Sequence, residues 1–333
     1  MTTTMPKAPT LPAPRGPISA SVLSALRGEL PEFPAVDDSS PYGEDFQLAL
    51  YCCYEPHYRG FQGVDADLEW DPALLAFRAE LEKAFIDALR DDVPAGTDVD
   101  SELQALLVEH VDAFGLSHHL RRHGEMWQLR EYVAHRSLYH LKEADPQSFV
   151  IPRLDGPPKV ALMTVQYDEY GAGDPERLHS KLFADMMFEL GLSDAYGAYL
   201  DSAPAEMLAE VNFMSLCGLH RGLRAALIGQ FATVELTSSP GSDRLVKAMR
   251  RLDCGPAAIR FYAEHVEADA VHEQLIRRGV IAPLLRAEPE LAADVVFGVR
   301  SSTFLATRLE DRLLHHWNRG ESSFRDGVGV GQS

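Results

Sequence analysis

The sequence predicts an all-α protein, and three observations lead to that fold class. Apolar residues recur at steps of three and four along much of the chain, which is the period of an amphipathic helix. Strand-like runs are scarce, and we predict one extended connector, Lys159 to Tyr167, because it is rich in Val, Leu and Thr. Clusters of Pro and Gly separate the periodic stretches. The predicted helices are Asp71–Leu89, Ser101–Phe114, Glu125–Lys142, Pro175–Leu190, Pro204–Leu236, Pro256–Arg278 and Ser302–Trp317.

Helix ends are predicted where breakers cluster: Asp145-Pro146, Pro157-Pro158, Gly171 to Gly173, Ser239 to Gly241 and Gly255-Pro256. Composition also divides the chain into regions. We predict that residues 1–18 form a disordered Pro/Thr-rich tail and that residues 19–124 form a helical accessory region with acidic linkers. We predict that residues 125–320 form the main helical domain and that residues 321–333 form a flexible C-terminus.

The charge balance excludes some classes of function. Lys and Arg total 31 against 50 Asp and Glu, a net charge of −19, so the chain would repel nucleic-acid phosphates on average. We find neither an apolar run long enough to span a bilayer nor a secretory signal, so we expect a cytoplasmic protein without a membrane partner. The four cysteines form neither a disulfide framework nor a CxxC pair.

The sharpest motif is His265-x-x-x-Asp269-x-x-His272, in which three metal-ligand side chains share one face of a helix. A polar surface stripe remains the alternative. Glu176-x-x-His179 supplies a second pair, at the i,i+3 spacing that di-iron proteins use. Glu176 also suits the first turn of a helix, where an acidic residue favours the dipole.

Two further carboxylates break local rules. Glu235 lies in an otherwise apolar helical stretch, where an unpaired charge is costly, and Glu143 lies in the last turn of a helix, where the dipole disfavours an anion. Ion pairs with Arg224 or Arg136 are the alternative explanation. The donor set contains carboxylates and imidazoles without a thiolate, which favours iron or manganese, and its size favours two ions. Its members are Glu143, Glu176, His179, Glu235, His265, Asp269 and His272.

The order Glu…Glu-x-x-His…Glu…His-x-x-x-Asp-x-x-His resembles the haem-oxygenase-like di-iron oxidases and oxygenases, the iron-containing redox enzymes. The surrounding words, Tyr139-His-Leu-Lys-Glu143-Ala-Asp-Pro and Asp168-Glu-Tyr-Gly, are similar too, and the resemblance covers roughly residues 125–320. It implies a haem-oxygenase-like helical bundle with an additional N-terminal helical segment. That segment would add an accessory layer or a homodimer contact.

The resemblance implies that Glu143, His179, Glu235, His265, Asp269 and His272 are the six core ligands of two Fe(II)/Fe(III) ions. Glu176 matches the extra carboxylate of some members, with Glu169 and His135 as near competitors. Glu131 and His135 form an i,i+4 pair. A role for this pair in holding a metal ligand or the substrate in place stays open. The aromatic and basic residues Tyr132, Tyr139, Tyr262 and Arg136 are candidates to line a substrate pocket, or are core.

The activity that the resemblance implies is O2 activation, with O2 as co-substrate, through a peroxo-di-iron(III) oxidant. We expect N-oxygenation of a small amino-acid-derived amine, with electrons from an external donor. The alternative within the family is oxidative C–C cleavage or decarboxylation of a fatty or amino acid. Three other classes stay open: a mononuclear zinc hydrolase, a ferritin-like protein, and a non-catalytic helical protein that binds a metabolite or haem.

Overall fold

The computed structural model describes residues 8–36, 39–109, 114–325 and 327; the side chains of residues 267, 269 and 270 also lie outside the described part. The all-α prediction is confirmed: the described residues form helices and no strand. The α-helices are α1 Pro17–Leu26, α2 Glu44–Tyr54, α3 Pro72–Asp92, α4 Val99–Leu107, α5 Leu116–Arg122, α6 Met126–His140, α7 Asp145–Ser148, α8 Gly156–Glu169, α9 His179–Glu189, α10 Ala205–Leu219, α11 Arg224–Arg251, α12 Pro256–Gln274, α13 Ala282–Ala287 and α14 Ala292–Trp317. A π-helical segment, Leu275–Ile281, joins α12 to α13.

Helix α11 lies at the centre of the bundle and packs against α12, α14 and α5. Its crossing with α14 is close because each helix presents a glycine to the backbone of the other. A Cβ at Gly229 would meet Val295 O at 2.1 Å, and one at Gly298 would meet Ala226 O at 2.0 Å. Helix α12 packs against α9, and α6 packs against both α9 and α10. These contacts bring α6, α9, α11 and α12 around one interior region.

The N-terminal helices share the core of the bundle. Buried residues from α1, α2 and α3, among them Val22, Leu48 and Phe85, join the same apolar cluster as Phe231 of α11. Helix α2 packs against α10. The predicted tail is also held where it is described, since Arg15 pairs with Glu44 at 2.6 Å. Residues 1–7, the rest of that prediction, lie outside the described residues.

Some local predictions are wrong. The expected single helix Pro204–Leu236 is two helices, α10 and α11, with the 3₁₀ turn Arg221–Leu223 between them. The expected extended connector is helix α8, which begins at Gly156 and accommodates the two following prolines in its first turn, where no backbone donor is needed. The expected break at Ser239 to Gly241 is absent, because α11 continues through Pro240 to Arg251. Packing against α12 and α14 on either side outweighs the cost of one proline, about 3 kcal/mol.

No helix in the described part of the chain has the length and apolarity that crossing a bilayer requires.

Candidate metal centre

Two groups of buried donors meet inside the bundle and share one carboxylate. The first group is Glu143, Glu169, His179 and His265, and the second is Glu169, Glu235 and His272. Within each group, one ligand atom from every residue lies within 4.8 Å of the others. Glu169 belongs to both groups, so a single carboxylate links the two sets of donors.

The two oxygens of Glu169 face different histidines. Oε2 lies 2.8 Å from Nδ1 of His179, and Oε1 lies 3.5 Å from Nδ1 of His272. A carboxylate that directs one oxygen toward each donor group could contact a cation held by either group. The same His272 Nδ1 lies 3.1 Å from Oε2 of Glu235, which completes the second group.

Five helices or their ends supply these donors. Glu143 lies in the turn after α6, and Glu169 is the last residue of α8. His179 is the first residue of α9, Glu235 lies within α11, and both His265 and His272 lie on α12. The two α12 histidines are seven positions apart, close to two helical turns, so both face the same side. The donors therefore come from distant parts of the sequence and meet only through the fold.

Hydrogen bonds orient the α12 histidines. His265 Nδ1 donates to the Phe261 carbonyl at 2.8 Å, which leaves the Nε2 lone pair directed toward Glu143, whose Oε2 is 4.0 Å away. His272 Nε2 lies 3.3 Å from Asp168 Oδ2 while Nδ1 faces the donor group. A carboxylate behind a histidine fixes the orientation of the ring and increases the basicity of the facing nitrogen.

The electrostatics of the site suit a bound cation. Burial raises the pKa of Glu143 to about 7. Burial would also raise the pKa of Glu169, but the surrounding His179, His265 and His272 outweigh it and lower that pKa to about 2. Burial, reinforced by His179, lowers the pKa of His265. Ligands bind a metal as neutral imidazoles and ionised carboxylates, so a cation would take the place of the protons that these groups hold.

The donors fit iron. All are carboxylate oxygens or imidazole nitrogens, a set that non-haem iron shares with manganese. The Oε2 atom of Glu143 is buried without a hydrogen-bond partner among the described residues. Leaving such an atom unsatisfied is costly, so a cation is the partner that its position calls for.

Five of the seven sequence-predicted ligands come together: Glu143, His179, Glu235, His265 and His272. Asp269 lies on α12 between the two histidines, but its side chain falls outside the described residues.

Glu176 does not join the donors. It lies in the 3₁₀ turn Pro175–Arg177, its carboxylate is exposed, and it contacts Lys181 Nζ at 3.2 Å. Leu178, with ψ at 123°, separates that turn from α9, so Glu176 and His179 do not share a helix face. The i,i+3 argument fails here because it assumed one continuous helix.

Glu169, expected only as a near competitor of Glu176, lies among the donors, whereas Glu176 does not. The helical signal was present in the sequence. The buried positions of α8 are Pro158, Leu162, Val165, Gln166 and Glu169. These recur at helical spacing and put Glu169 on the inner face, but the β-branched and apolar residues between them favoured an extended interpretation.

The alternative ion pairs for the two buried glutamates are made elsewhere. Arg136 Nη1 contacts Glu210 at 2.7 Å, and Arg224 pairs with Glu288. The partner that α12 presents to Glu235 is His272.

Glu131 and His135 hold the C-terminal segment. Glu131 Oε2 accepts hydrogen bonds from Trp317 Nε1 at 2.9 Å and from Ser323 Oγ at 2.7 Å. His135 Nε2 lies 2.9 Å from the same Ser323 hydroxyl. Both side chains therefore fix residues that were expected to be flexible, and Ser323 and Phe324 are buried.

A cavity of about 320 Å³ opens beside the first donor group, and both Glu143 and His265 line it. Its wall also carries Tyr132, Tyr262 and the Arg136–Glu210 pair, whereas Tyr139 is a buried core residue. This volume is at the lower end of the range for small-molecule sites. The donors are therefore adjacent to a space that can hold a small substrate.

Comparisons with known proteins agree with this chemistry. A nitrosourea synthase from Streptomyces achromogenes subsp. streptozoticus is 24% identical over 160 residues, which cover 48% of this chain and 34% of that protein. The chain thus matches about a third of the length of this relative. The family model described as iron-containing redox enzyme matches residues 130–306, more than half of the chain. That span contains both groups of donors, and the chain belongs to the iron-containing redox enzyme family.

Proposed function

We propose that this protein is a non-haem di-iron oxygenase that inserts oxygen at the nitrogen of a small amino-acid-derived amine. The observation that carries the proposal is Glu169, whose two oxygens face His179 and His272 in different donor groups. One ion needs fewer donors than the two groups provide, and a shared carboxylate is the usual link between paired ions. The sequence prediction of two irons is thereby kept, with Glu169 in place of Glu176.

Two iron ions in these groups would supply the activation of O2. Inserting one oxygen atom into an N–H bond, with the other oxygen leaving as water, takes two electrons and two protons from outside the substrate. An external electron donor is therefore part of the proposal. The protein's own contribution is to hold the donors, exclude water and orient the substrate.

The cavity supports an amino-acid-derived substrate. Arg136 and Glu210 lie side by side in its wall, 2.7 Å apart, with 19% and 8% of their side chains exposed. A wall that carries opposite charges can bind a carboxylate and an ammonium group together.

The position of this pair would direct the other end of the substrate to the donors. Arg136 lies one helical turn before His140, about 6 Å along the axis of α6. His140 Nδ1 lies 3.0 Å from Oε1 of Glu143, which faces the cavity. A substrate held by its charged head at Arg136 would place a nitrogen-bearing tail near Glu143 and His265.

The relative favours oxygenation of nitrogen over cleavage of carbon. It is named for making a nitrosourea, a molecule in which nitrogen carries oxygen. This chain matches only a part of that protein, so the reaction on nitrogen is proposed for this chain from the likeness of the matched region and from its donors.

The test combines iron loading with product analysis. Protein loaded anaerobically with Fe(II) is mixed with O2, a reductant and matched sets of L-amino acids, their decarboxylated amines and their deaminated acids, and products are followed by mass spectrometry. We expect a visible absorption change on adding O2 and products that gain oxygen on nitrogen. Products that have lost carbon would replace this proposal with oxidative C–C cleavage.

An arginine variant tests the substrate orientation. Arg136→Gln should raise the KM of a carboxylate-bearing substrate about tenfold or more while leaving the iron content unchanged, because one charge-assisted contact is removed. The control is Arg224→Gln, since Arg224 is ion-paired with Glu288 and does not line the cavity. An unchanged KM in Arg136→Gln would contradict the assigned orientation.

A further inference from the structure

A buried ion pair lies directly beside the turn that carries Glu143. Lys142 Nζ lies 3.2 Å from Glu55 Oε2, and the side chains are 1% and 0% exposed. Glu55 follows α2 in the N-terminal region, which the family model does not match. The hydroxyl of Tyr196 donates to the same Glu55 oxygen at 2.9 Å. The neighbour of a candidate metal ligand is therefore bound to a part of the chain outside the family match.

The same part of the chain holds the turn at two further points. Arg59 Nη2 donates to the Leu141 carbonyl at 2.7 Å, and its guanidinium stacks 4.2 Å from the centre of the Tyr196 ring. The ammonium of Lys142 lies 4.0 Å from the centre of the Tyr58 ring. Residues 141 and 142 are thus both fixed by side chains from the segment that follows α2.

This attachment matters because no helix fixes Glu143. Helix α6 ends at His140, and the next residues form turns. Lys142 projects toward Glu55, while Glu143, the next residue, projects toward His265 and the cavity. Anchoring one side of the turn sets the direction of the carboxylate on the other side.

Stability alone does not account for a buried Lys–Glu pair. The cost of removing two charges from water roughly cancels their attraction, and apolar residues of similar volume often stabilise a protein as well or better. What the pair adds is a defined geometry. We propose that Glu55 and Lys142 are positioning residues that place Glu143 for iron, an inference that rests on the proposed function of Glu143 as a ligand.

The test compares metal-free stability with iron binding. Lys142→Met combined with Glu55→Gln leaves no unpaired charge, so the double variant should fold. We expect its affinity for Fe(II), measured by anaerobic titration, to fall about tenfold or more at one site, which is the usual size of effects from groups behind a ligand. The near-infrared circular dichroism bands of bound Fe(II) should shift, because these report ligand geometry rather than stability.

A control variant separates a positioning role from a general loss of stability. Glu82→Gln removes another buried glutamate of the N-terminal region, one paired with Arg78 and His220 and not with the turn. It should lower stability but leave Fe(II) affinity and the bands unchanged. A folded double variant with wild-type affinity and bands, or an equal loss of affinity in Glu82→Gln, would overturn the positioning role.

Glu143→Gln separates this inference from the proposed function. A loss of iron in Glu143→Gln beside an unaffected double variant would reject only the positioning role. Unchanged iron binding in Glu143→Gln would reject Glu143 as a ligand and the positioning role with it, whereas the proposed pair of irons is tested at Glu169.

Discussion

Glu169 and His179 are ten residues apart in the chain, yet Oε2 of one lies 2.8 Å from Nδ1 of the other. The contact exists because the 3₁₀ turns Gly171–Gly173 and Pro175–Arg177 reverse the chain between α8 and α9. Gly171, with φ at +80°, is required there, because a Cβ would approach the Leu178 nitrogen to 2.7 Å. A tight turn thus brings two donors together that share no helix.

Replacing the shared carboxylate should disrupt both donor groups. Glu169→Gln removes one anionic oxygen from each group, so we expect iron content to fall from two ions to at most about one ion per chain. Metal analysis after anaerobic loading and desalting measures this. Glu176→Gln is the matched control, since Glu176 is exposed on the turn beside Lys181 and should leave iron content unchanged. The reverse pattern would restore Glu176 as the ligand.

At the close crossing of α11 and α14, we expect replacement of glycine by alanine to destabilise the protein, whereas in most helices it stabilises. Alanine is favoured over glycine in a helix by about 1 kcal/mol, but at Gly298 its Cβ would lie 2.0 Å from the Ala226 carbonyl oxygen. We expect Gly298→Ala to lower the free energy of unfolding by about 3 kcal/mol, as overpacking does. Gly241→Ala, where the new Cβ meets nothing within 4 Å, should be neutral or stabilising in the same urea titration. Equal effects at the two positions would contradict the close crossing.

Glu131 should support the C-terminal segment without affecting iron. Glu131→Gln weakens hydrogen bonds to Trp317 and Ser323, and we expect a loss of about 2 kcal/mol because these bonds are buried and charge-assisted. Hydrogen exchange should increase over residues 321–325. Iron content should stay at the wild-type level, and a decrease would show that Glu131 acts behind a ligand after all.

His135 predicts an acid-dependent loss of stability. Burial, with help from Arg312 and Arg136, lowers its pKa from 6.5 to about 3, so below pH 6.5 the unfolded chain binds a proton that the folded chain does not. The free energy of unfolding should therefore decrease as the pH falls below 6.5, by up to about 1.4 kcal/mol per pH unit for this group.

Urea unfolding of the metal-free wild type and of His135→Gln at several pH values between 7.5 and 4.5 isolates that contribution. The wild type should lose stability relative to the variant only as the pH falls below about 6.5, the ordinary value for histidine. A difference between the two proteins that stays constant over this range would contradict a neutral, buried His135.

The fold class could be predicted from the sequence because most of the helices are amphipathic and their apolar residues recur at helical spacing. The predicted helix Glu125–Lys142 corresponds to α6, Met126–His140. Periodicity failed for α8, where Val160, Met163 and Tyr167 are exposed apolar residues on the outer face and blur the contrast between faces. Pro240 was misjudged for a different reason, because tertiary packing that overrides a helix breaker leaves no local signal.

Members of the two buried donor groups were predictable where a residue violated a local rule. Glu235 is a charge in an apolar helical stretch, and the structure places it 3.1 Å from His272, which helical spacing on α12 had indicated as a donor. Glu176 misled because its spacing to His179 has meaning only within one helix, and Leu178 interrupts it. The link between Glu55 and Lys142 joins residues far apart in the sequence, so no spacing could reveal it.

Mössbauer spectroscopy of protein loaded with ⁵⁷Fe tests most directly whether the protein binds a pair of irons that share Glu169. We predict two irons per chain that, once oxidised, behave as a magnetically coupled pair with a diamagnetic ground state, and the loss of that coupling in Glu169→Gln. One iron per chain, or two irons with the spectra of isolated high-spin ions, would contradict the account.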